Sequence, residues 1–335
     1  MLLSTQKLLF SLLATAALTV SCSGQNKQDK SAFSENHVQL ELKVPAAFRF
    51  AAFGDTRFHD PSDTEPANPA IRHALVAAID KENPAFVSIG GDIVYDGVDG
   101  NDWKVWDSET ELWREHKITI FPAIGNHDLK GNVQSALENY FARFPELKQS
   151  RYYSVHIENT LMIVLDSALD ELSGPQGDWL HAQLDSFPAS TDFVFFVFHH
   201  PPYTSSSDEK AFGGGHSARS SEQALAKFLE ARQQHSRARF VVFNGHVHNY
   251  ERHEHGGITY FVTGGGGAHA YPIQRRADDL YKDSGVNYHY LLAEVDHNRL
   301  TVTMHKVEIK DGKAVWSAPD SINITAPVAV PAAAD

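Results

Sequence analysis

The chain is poor in cysteine and in basic side chains, and it lacks a long hydrophobic run. A single cysteine among 335 residues excludes an internal disulfide and a cysteine zinc cluster. Only 29 basic side chains accompany 42 acidic ones, for a net charge of −13, which argues against nucleic acid as a general partner because its phosphates are repelled. What is present is a hydrophobic content of 42%, enough for a buried core in one large domain or two small ones.

The longest apolar run covers residues 8–20, directly after Lys7. It is shorter than the ~20 residues that cross a bilayer and has the length of a signal-peptide core. We therefore expect residues 1–21 to be a cleaved signal peptide and the mature protein to be exported. Because this leader carries Lys7 and no acidic residue, its removal makes the chain one charge more negative.

The leader ends in Leu18-Thr19-Val20-Ser21-Cys22, which resembles the bacterial lipobox, a motif in which cleavage precedes a cysteine that then carries lipid. Thr19 departs from the aliphatic residue usual at its position, and the alternative is an ordinary signal peptide cleaved near Ser21 or Ser23. However, the only cysteine of the chain stands where lipid would need it. The sequence thus predicts a bacterial lipoprotein anchored in the membrane through Cys22, periplasmic or at the cell surface, and Ser23 favours the outer membrane.

Composition divides the remaining chain into three segments. Residues 22–45 are rich in Ser, Gln, Asn and Lys and are expected to form a lipid-anchor tether. Residues 326–335 consist mainly of Ala, Pro and Val and are expected to fray as a disordered tail. Residues 46–325 remain as a single globular domain without an internal repeat.

Apolar runs in the globular segment first alternate with amphipathic stretches and later follow one another. Helical spacing of apolar residues occurs at 69–81, 133–144 and 221–234. Buried strands are predicted at 48–54, 85–90, 118–124, 161–166, 193–199 and 240–245, and consecutive antiparallel strands at 258–263, 289–295, 300–307 and 313–316. This order predicts an α/β fold in which a two-sheet β-sandwich is flanked by helices.

Five of the predicted strands end in clusters of oxygen and imidazole donors. In open α/β folds the active site lies beyond the carboxyl ends of the strands. One Gly-Asp turn, Asn-His cap or buried histidine carries little information, whereas five clusters in order indicate one site. The clusters are Gly54-Asp55-Thr56-Arg57, Gly91-Asp92-Ile93-Val94-Tyr95, Gly125-Asn126-His127-Asp128, His199-His200-Pro201-Pro202-Tyr203 and Gly245-His246-Val247-His248.

These clusters resemble the motifs of the calcineurin-like metallophosphoesterases, and within that family those of the purple acid phosphatases. The family pattern is an Asp motif, GDxxY, GNH(D/E), a histidine after a hydrophobic strand, and GHxH. The sharpest matches are GDIVY at 91–95, GNHDLKGN at 125–132 and GHVHNYER at 245–252, and the resemblance spans about residues 48–270. It implies the four-layer αββα metallophosphoesterase fold and a hydrolase with two metal ions.

The resemblance also implies which residues hold the metal ions. Asp92 is expected to bridge both ions, with Asp55, Tyr95 and His248 completing one site and Asn126, His199 and His246 the other. A phenolate among oxygen ligands suits Fe(III), whereas two imidazoles and an amide oxygen suit a divalent ion. Three anionic ligands and a hydroxide leave positive charge only on a trivalent–divalent pair. We therefore expect Fe(III) beside a divalent Fe, Zn or Mn ion.

Arg57 departs from the motifs of both groups of relatives. Many metallophosphoesterases have a histidine ligand at this position, and purple acid phosphatases have glycine. Because a guanidinium cannot ligate a metal, Tyr95 becomes the needed ligand, with a packed core aromatic as the alternative. Arg57 is expected either to bind a substrate phosphate oxygen or to form a surface ion pair with Asp60 or Asp63.

Two histidines are expected to act on the substrate. His127 follows a predicted ligand and, like its family counterpart, is expected to stabilise the oxyanion or to protonate the leaving alkoxide. His216 lies on the loop after His199, where relatives place a substrate-facing histidine, and the alternative is a solvent-exposed residue. His200 is expected to point away from the site and to lie in the core or behind a ligand. Asp128 is expected to orient His127 or to cap a turn.

The motifs together predict an exported phosphatase that hydrolyses phosphomonoesters by attack of a metal-bound hydroxide on phosphorus. One alternative is a phosphodiesterase on the same metals, because the loop walls around a shared metal core decide between the two substrates. The other is a surface binding protein that retains the fold without catalysis. Outside the motifs, His253 and His255 are expected to be exposed rather than ligating.

Overall fold

The structure, a computed structural model, describes residues 37–207 and 216–328. These residues all lie within one compact unit, Ala32–Asp335. The predicted signal peptide, Cys22, most of the predicted tether and the end of the predicted tail lie outside the described residues, so those predictions stay predictions. Within the described ranges, no helix is long and apolar enough to cross a membrane.

Two mixed sheets form the centre of the fold. In chain order their strands are β1 (Val38–Leu42), β2 (Ala47–Phe53), β3 (Phe86–Ile89), β4 (Thr119–Pro122), β5 (Tyr153–Ile157), β6 (Thr160–Val164), β7 (Phe193–Phe198), β8 (Arg239–Asn244), β9 (Tyr250–His255), β10 (Ile258–Thr263), β11 (Tyr288–Asp296), β12 (Arg299–Lys310), β13 (Lys313–Ser317) and β14 (Ser321–Thr325). The first sheet has the order β1-β5-β6-β7-β8-β10-β9. The second has the order β13-β12-β11-β2-β3-β4, with β14 beside β12.

Two of the helices begin at asparagine side chains that cap their first turn. Asn68 Oδ1 accepts the backbone N–H of Ile71 at 3.2 Å, and Asn132 Oδ1 accepts that of Ser135 at 3.0 Å, as N-cap side chains do. Pro69 then occupies a first-turn position that needs no N–H donor. The helices are α1 (Pro69–Lys81), α2 (Gly100–Glu109), α3 (Glu111–Glu115), α4 (Val133–Arg143), α5 (Gly174–Ser186) and α6 (Ser220–Gln233), with a 3₁₀ turn at Pro145–Leu147.

Phenylalanines fill the space between the two sheets. Phe50 of β2 stacks on Phe86 of β3 with ring centroids 4.6 Å apart. Across the sandwich, Phe50 lies 5.2 Å from Phe195 of β7 and 5.8 Å from Phe243 of β8. All four rings are buried. The inner faces of the sheets therefore pack on each other through large apolar side chains, which is the sandwich predicted from the sequence.

Helices cover the outer faces of both sheets. Leu180 of α5 and Leu225 of α6 belong to a buried cluster with Phe196 and Phe240, on the outer face of the first sheet. On the second sheet, α1 packs against β11 and β12. The four layers and the α/β class predicted from the sequence are thus confirmed.

The domain boundaries differ from those expected from composition. Val38, Leu40 and Leu42 lie in the segment predicted to be a tether, yet they form a strand that pairs in parallel with β5. They alternate with polar residues and are half-buried against the core, so period-2 burial outweighs the polar composition of the segment. At the other end, Ala326 is buried and its N–H donates to the carbonyl of Asn298. The ordered domain therefore extends beyond 46–325 on both sides.

Candidate metal centre

The predicted site lies where strand ends of both sheets meet. Asp55 follows β2 and Asp92 follows β3 in the second sheet, whereas His199 follows β7 and His246 comes two residues after β8 in the first. The backbone N–H of Asp55 donates to the carbonyl of Gly91 at 2.9 Å, so neighbouring strand ends are tied together. The geometry therefore joins residues that lie almost 200 positions apart in the chain.

The backbone is strained at this junction. Asp55, Asp92 and His246 have φ angles of 58°, 53° and 70°, in the left-handed region that residues other than glycine rarely adopt. Gly125 packs so closely on the Asp92 loop that a Cβ atom there would lie 2.3 Å from the Asp92 backbone nitrogen and from its Oδ1. Strain of this kind persists only where the surrounding structure enforces it, and it clusters at functional sites.

Asp55, Asp92 and His248 form the first of two groups of potential ligands. All three are buried, and their ligand atoms lie within 4.8 Å of one another. His248 Nδ1 lies 2.9 Å from the carbonyl oxygen of His269; the proton must therefore sit on Nδ1, and Nε2 carries a lone pair. That Nε2 lies 3.6 Å from Asp55 Oδ1, and both atoms are buried without a hydrogen-bond partner. Two unsatisfied acceptors that face each other fit a cation between them.

The second group is arranged around His199. Its Nδ1 lies 2.8 Å from the carbonyl of Gly90, so Nε2 is again the atom with the lone pair. Nε2 lies 3.0 Å from Asn126 Oδ1, 3.2 Å from His246 Nδ1 and 3.4 Å from Asp92 Oδ1. Ligands of one metal ion bound at ~2.0–2.2 Å are separated by about this much. The structure thus brings together Asn126, His199 and His246 beside Asp92, as the sequence predicts.

Electrostatics at the two groups favour metal binding. Burial lowers the pKa values of His199, His246 and His248, which keeps the imidazoles neutral and able to ligate. Burial and the neighbouring Asp92 raise the pKa of Asp55. Burial also opposes the charge on Asp92, but His199 and Arg57 outweigh it and hold the pKa of that carboxyl below its usual range. Asp55 and Asp92 are buried close together, so a nearby positive charge would stabilise their ionised forms.

Arg57 points into the site rather than to the surface. Its Nη2 lies 3.1 Å and its Nε 3.4 Å from Asp92 Oδ2. Asp60 instead accepts hydrogen bonds from Ser62, and Asp63 lies beside His59. The surface ion pair with Asp60 or Asp63 is therefore not formed, and the guanidinium is held next to the predicted bridging carboxylate.

Tyr95 lies at the rim of the site, packed among other rings and a lysine. Its ring centroid is 5.1 Å from that of His59 and 5.4 Å from that of His127, and Lys130 Nζ lies 4.0 Å from the Tyr95 ring centroid. Among the described residues, the Tyr95 hydroxyl makes no hydrogen bond. Its ligation of a metal stays a prediction. Its backbone carbonyl, by contrast, is a hydrogen-bond acceptor for His127 Nδ1.

His127 and His216 flank the two ligand groups. His127 Nδ1 lies 2.7 Å from the carbonyl of Tyr95, which places the proton on Nδ1 and leaves Nε2 free for a substrate. The His216 ring lies 4.5 Å from that of His246 and 5.4 Å from that of His248, and its Nδ1 lies 2.7 Å from the Tyr271 hydroxyl. Both rings are half-buried. His216 therefore lies beside the predicted ligands rather than in solvent.

Asp128 organises the loops after β3 and β4. Its Oδ2 accepts the backbone N–H groups of Asp92 and Gly125 at 2.9 and 2.8 Å, and its Oδ1 those of Ile93 and Val94 at 2.9 and 3.3 Å. Burial and Asp92 raise the pKa of Asp128 to about 8. Asp128 therefore holds the two ligand-bearing loops together. This role differs from both expected ones, orienting His127 and capping a turn.

His200 is buried, as expected, but its side chain does not point away from the site. Strand alternation predicts that it points away from His199, yet its ring lies 4.3 Å from that of His246, and it is grouped with His199 and His246 as a potential ligand. β7 ends at Phe198, so alternation no longer applies at position 200. Its Nδ1 lies 2.7 Å from Ser167 Oγ, which fixes the ring. Adjacency to His199 was the only sequence signal for it.

The fold and the site together define a metallophosphoesterase, a metal-dependent hydrolase. The family model of the calcineurin-like phosphoesterases matches residues 48–250, and the chain belongs to this family, as its motifs predict. The members of this family use two metal ions, and the two ligand groups fit that requirement. No curated protein matches this sequence.

Two solved structures show the same fold. The purple acid phosphatase PPD1 isolated from yellow lupin (Lupinus luteus) seeds is similar with a TM-score of 0.63 at 17% identity, over 87% of this chain and 58% of the lupin chain. This chain therefore spans little more than half of the lupin enzyme. GAP50, the anchor in the inner membrane complex of Plasmodium, is similar with a TM-score of 0.58 at 17% identity, over 84% of this chain and 90% of GAP50.

Proposed function

We propose that this protein is a phosphatase that hydrolyses phosphomonoesters at a binuclear metal centre. The observation that carries the proposal is the pair formed by Asp55 Oδ1 and His248 Nε2, two buried acceptors without partners. Asp55, Asp92 and His248, with Tyr95, would hold one ion. Asp92, Asn126, His199 and His246 would hold the other. Bound metal ions supply an activated water nucleophile and neutralise charge on the phosphoryl oxygens.

The chain's own residues would bind and orient the phosphate. Arg57 is held beside Asp92 by its guanidinium, and a fork of N–H donors matches two phosphate oxygens. His216 is fixed by Tyr271, and its ring lies beside that of the predicted ligand His246. The two side chains would contact the non-bridging oxygens of the substrate from two sides.

His127 would handle the leaving group. Its Nδ1–H is held by the Tyr95 carbonyl and its backbone N–H donates to Asp92 Oδ1 at 2.8 Å, so the ring orientation is set from both ends. Burial lowers the pKa of His127, so less of the ring is doubly protonated at neutral pH, but a proton on Nε2 is easier to transfer to an alkoxide. General acid catalysis of this kind typically contributes 10²–10⁴-fold.

The metal pair that we propose is Fe(III) with a divalent Fe, Zn or Mn ion. The support is the donor set, since His199, His246 and Asn126 suit a borderline divalent ion while Asp55, Asp92 and Tyr95 suit a harder one. The acidic chain as a whole adds a reason, because a phosphate ester needs net positive charge at the site.

The test compares a phosphomonoester with a diester on metal-loaded protein. With p-nitrophenyl phosphate we expect hydrolysis that Asp92→Asn lowers at least about a hundredfold, because the variant loses the carboxylate that would bridge both ions. Asp107→Asn is the control, since Asp107 pairs with Arg143 at the surface and its loss should leave the rate unchanged.

Two outcomes would contradict the proposal. Faster hydrolysis of bis(p-nitrophenyl) phosphate than of the monoester would make the protein a phosphodiesterase on the same centre. Absence of both activities, with less than about one equivalent of metal retained, would favour a binding protein that keeps the fold, a possibility that the likeness to the Plasmodium anchor protein raises.

A further inference from the structure

A second cluster of potential metal ligands lies outside the centre described above, on strand β9. His253 and His255 are two residues apart on β9, so their side chains share one face, and Asp278 lies opposite them. One ligand atom from each lies within 4.8 Å of the others. β9 is the edge strand of the first sheet, and it begins two residues after His248.

The spacing of the three ligand atoms suits a small divalent ion. Asp278 Oδ2 lies 3.6 Å from His255 Nε2 and 3.8 Å from His253 Nδ1. Two ligands at ~2.0–2.1 Å from a tetrahedral zinc ion are about 3.3 Å apart. The two distances to Asp278 Oδ2 therefore need to shorten by only a few tenths of an ångström to match ligands of one ion. His255 Nε2 is buried and has no hydrogen-bond partner, so the ion would satisfy an otherwise orphaned atom.

Residues around the cluster orient both imidazoles. Glu251 Oε2 lies 3.1 Å from His253 Nε2, and Glu251 is itself held by the Thr204 hydroxyl at 2.6 Å. A carboxylate that accepts N–H from the far side of a histidine is the usual support of a metal ligand. The other ring nitrogen, Nδ1, then faces Asp278, whose backbone carbonyl oxygen lies 3.2 Å away. The Tyr203 ring stacks on the His255 ring with centroids 3.8 Å apart, which fixes the orientation of Nε2.

We propose that His253 Nδ1, His255 Nε2 and Asp278 Oδ2 bind one divalent transition-metal ion, with zinc the best match and water in the fourth position. Two imidazoles and one carboxylate suit zinc and disfavour calcium or magnesium, which prefer all-oxygen sites. The ion links the edge strand that follows the His246–His248 loop to the segment around Asp278. Its role is structural, and it is independent of the metals of the proposed phosphatase centre.

The competing arrangement contains no metal. In it, a doubly protonated His253 donates Nε2–H to Glu251 and Nδ1–H to the backbone carbonyl of Asp278, which lies 3.2 Å away. This arrangement explains His253 but leaves His255 Nε2 without a partner. The two possibilities differ in the number of zinc ions that the protein holds.

The experiment counts zinc in the full chain after equilibrium dialysis against Zn²⁺. We expect His255→Gln and Asp278→Asn each to hold one equivalent less than the wild-type protein, and zinc to raise their melting temperature less. Both changed side chains are partly exposed, so the variants should fold. His297→Gln is the matched control, because His297 and Asp296 form an exposed pair with nitrogen and oxygen 2.7 Å apart and no third ligand in the described residues.

Equal zinc content in the wild-type protein and in both variants would overturn the proposal and leave the ion pair of His253 as the explanation. Asp92→Asn separates this proposal from the phosphatase proposal. That variant should lose metal from the centre yet still lose one further equivalent when His255→Gln is added. His255→Gln alone should hydrolyse p-nitrophenyl phosphate at the wild-type rate.

Discussion

Single atoms rather than residue types decide what the centre can do. His199 and His248 each give Nδ1–H to a backbone carbonyl, so both present Nε2 to the site. His127 follows the same rule with the Tyr95 carbonyl. A backbone acceptor therefore selects the tautomer of each imidazole, which metal sites commonly require. No such contact fixes the Tyr95 hydroxyl, which has no hydrogen-bond partner among the described residues.

Tyr95→Phe tests the proposed ligand at the scale of one oxygen atom. If the phenolate binds Fe(III), iron-loaded protein should show a visible tyrosinate-to-iron absorption band that the variant lacks. The fold should be unaffected, since the ring contacts with His59, His127 and Lys130 do not involve the hydroxyl. Tyr271→Phe is the control and should keep the band. A band of undiminished intensity in Tyr95→Phe would rule out this ligand.

At the scale of elements, short loops after β3 and β4 are held against each other by one carboxyl group. Asp128 accepts four backbone N–H groups from these loops, and Gly125 lets them approach to van der Waals contact. Asp92 and Asn126 stand on the two loops. The position of Asp92 relative to Asn126 thus depends on Asp128, which bonds the backbone of both loops and is not itself a predicted ligand.

Asp128→Asn should loosen both loops. The amide keeps one acceptor oxygen and turns an NH₂ group toward backbone N–H donors, so about two buried donors lose their partner, at ~1–3 kcal/mol each. We expect a free energy of unfolding lower by about 2–6 kcal/mol, measured by urea denaturation, together with weaker metal retention. Asp99→Asn is the control, because Asp99 caps α2 and Asn caps equally well. Unchanged stability and metal content in Asp128→Asn would contradict this role.

At the scale of the whole molecule, polar contacts as well as phenylalanines join the two sheets. His289 on β11 of the second sheet lies with Nε2 3.0 Å from Thr263 Oγ1 on β10 of the first sheet, and its Nδ1 lies 2.9 Å from the carbonyl of Asn287. His289 is buried, and burial lowers its pKa to about 4. The His289 imidazole is therefore neutral in the folded protein near neutral pH.

This contact predicts a loss of stability in acid. An unfolded chain protonates His289 near its ordinary pKa of about 6.5, whereas the folded one resists until about 4. Its contribution is therefore present above pH 6.5 and falls by up to about 3 kcal/mol as the pH drops toward 4. The urea midpoint of His289→Asn should fall less steeply over this range than that of the wild-type protein. The exposed His235→Asn should match the wild-type slope; an equal slope for His289→Asn would contradict the prediction.

Local signals made some elements predictable, whereas others depend on partners that are distant in the sequence. The helix at Pro69–Lys81 has its cap and its apolar face in adjacent residues, so the sequence alone predicts its bounds. The strand Val38–Leu42 has no such signal in a polar segment, because its half-buried face exists only once β5 lies beside it. β9 was missed for a similar reason, because its charged sequence favours exposure. Glu251 and His253 are nevertheless buried, so the expectation that His253 is exposed is wrong.

The fold class, the family and most of the residues at the centre follow from the sequence, because strand-end motifs keep their order along the chain. Which atoms face one another depends on the three-dimensional arrangement. It turned His200 toward His246, turned Arg57 onto Asp92, and gathered His253 and His255 around Asp278. The physical reason is that these contacts depend on loop conformation and on pairing between distant segments, and local periodicity describes neither.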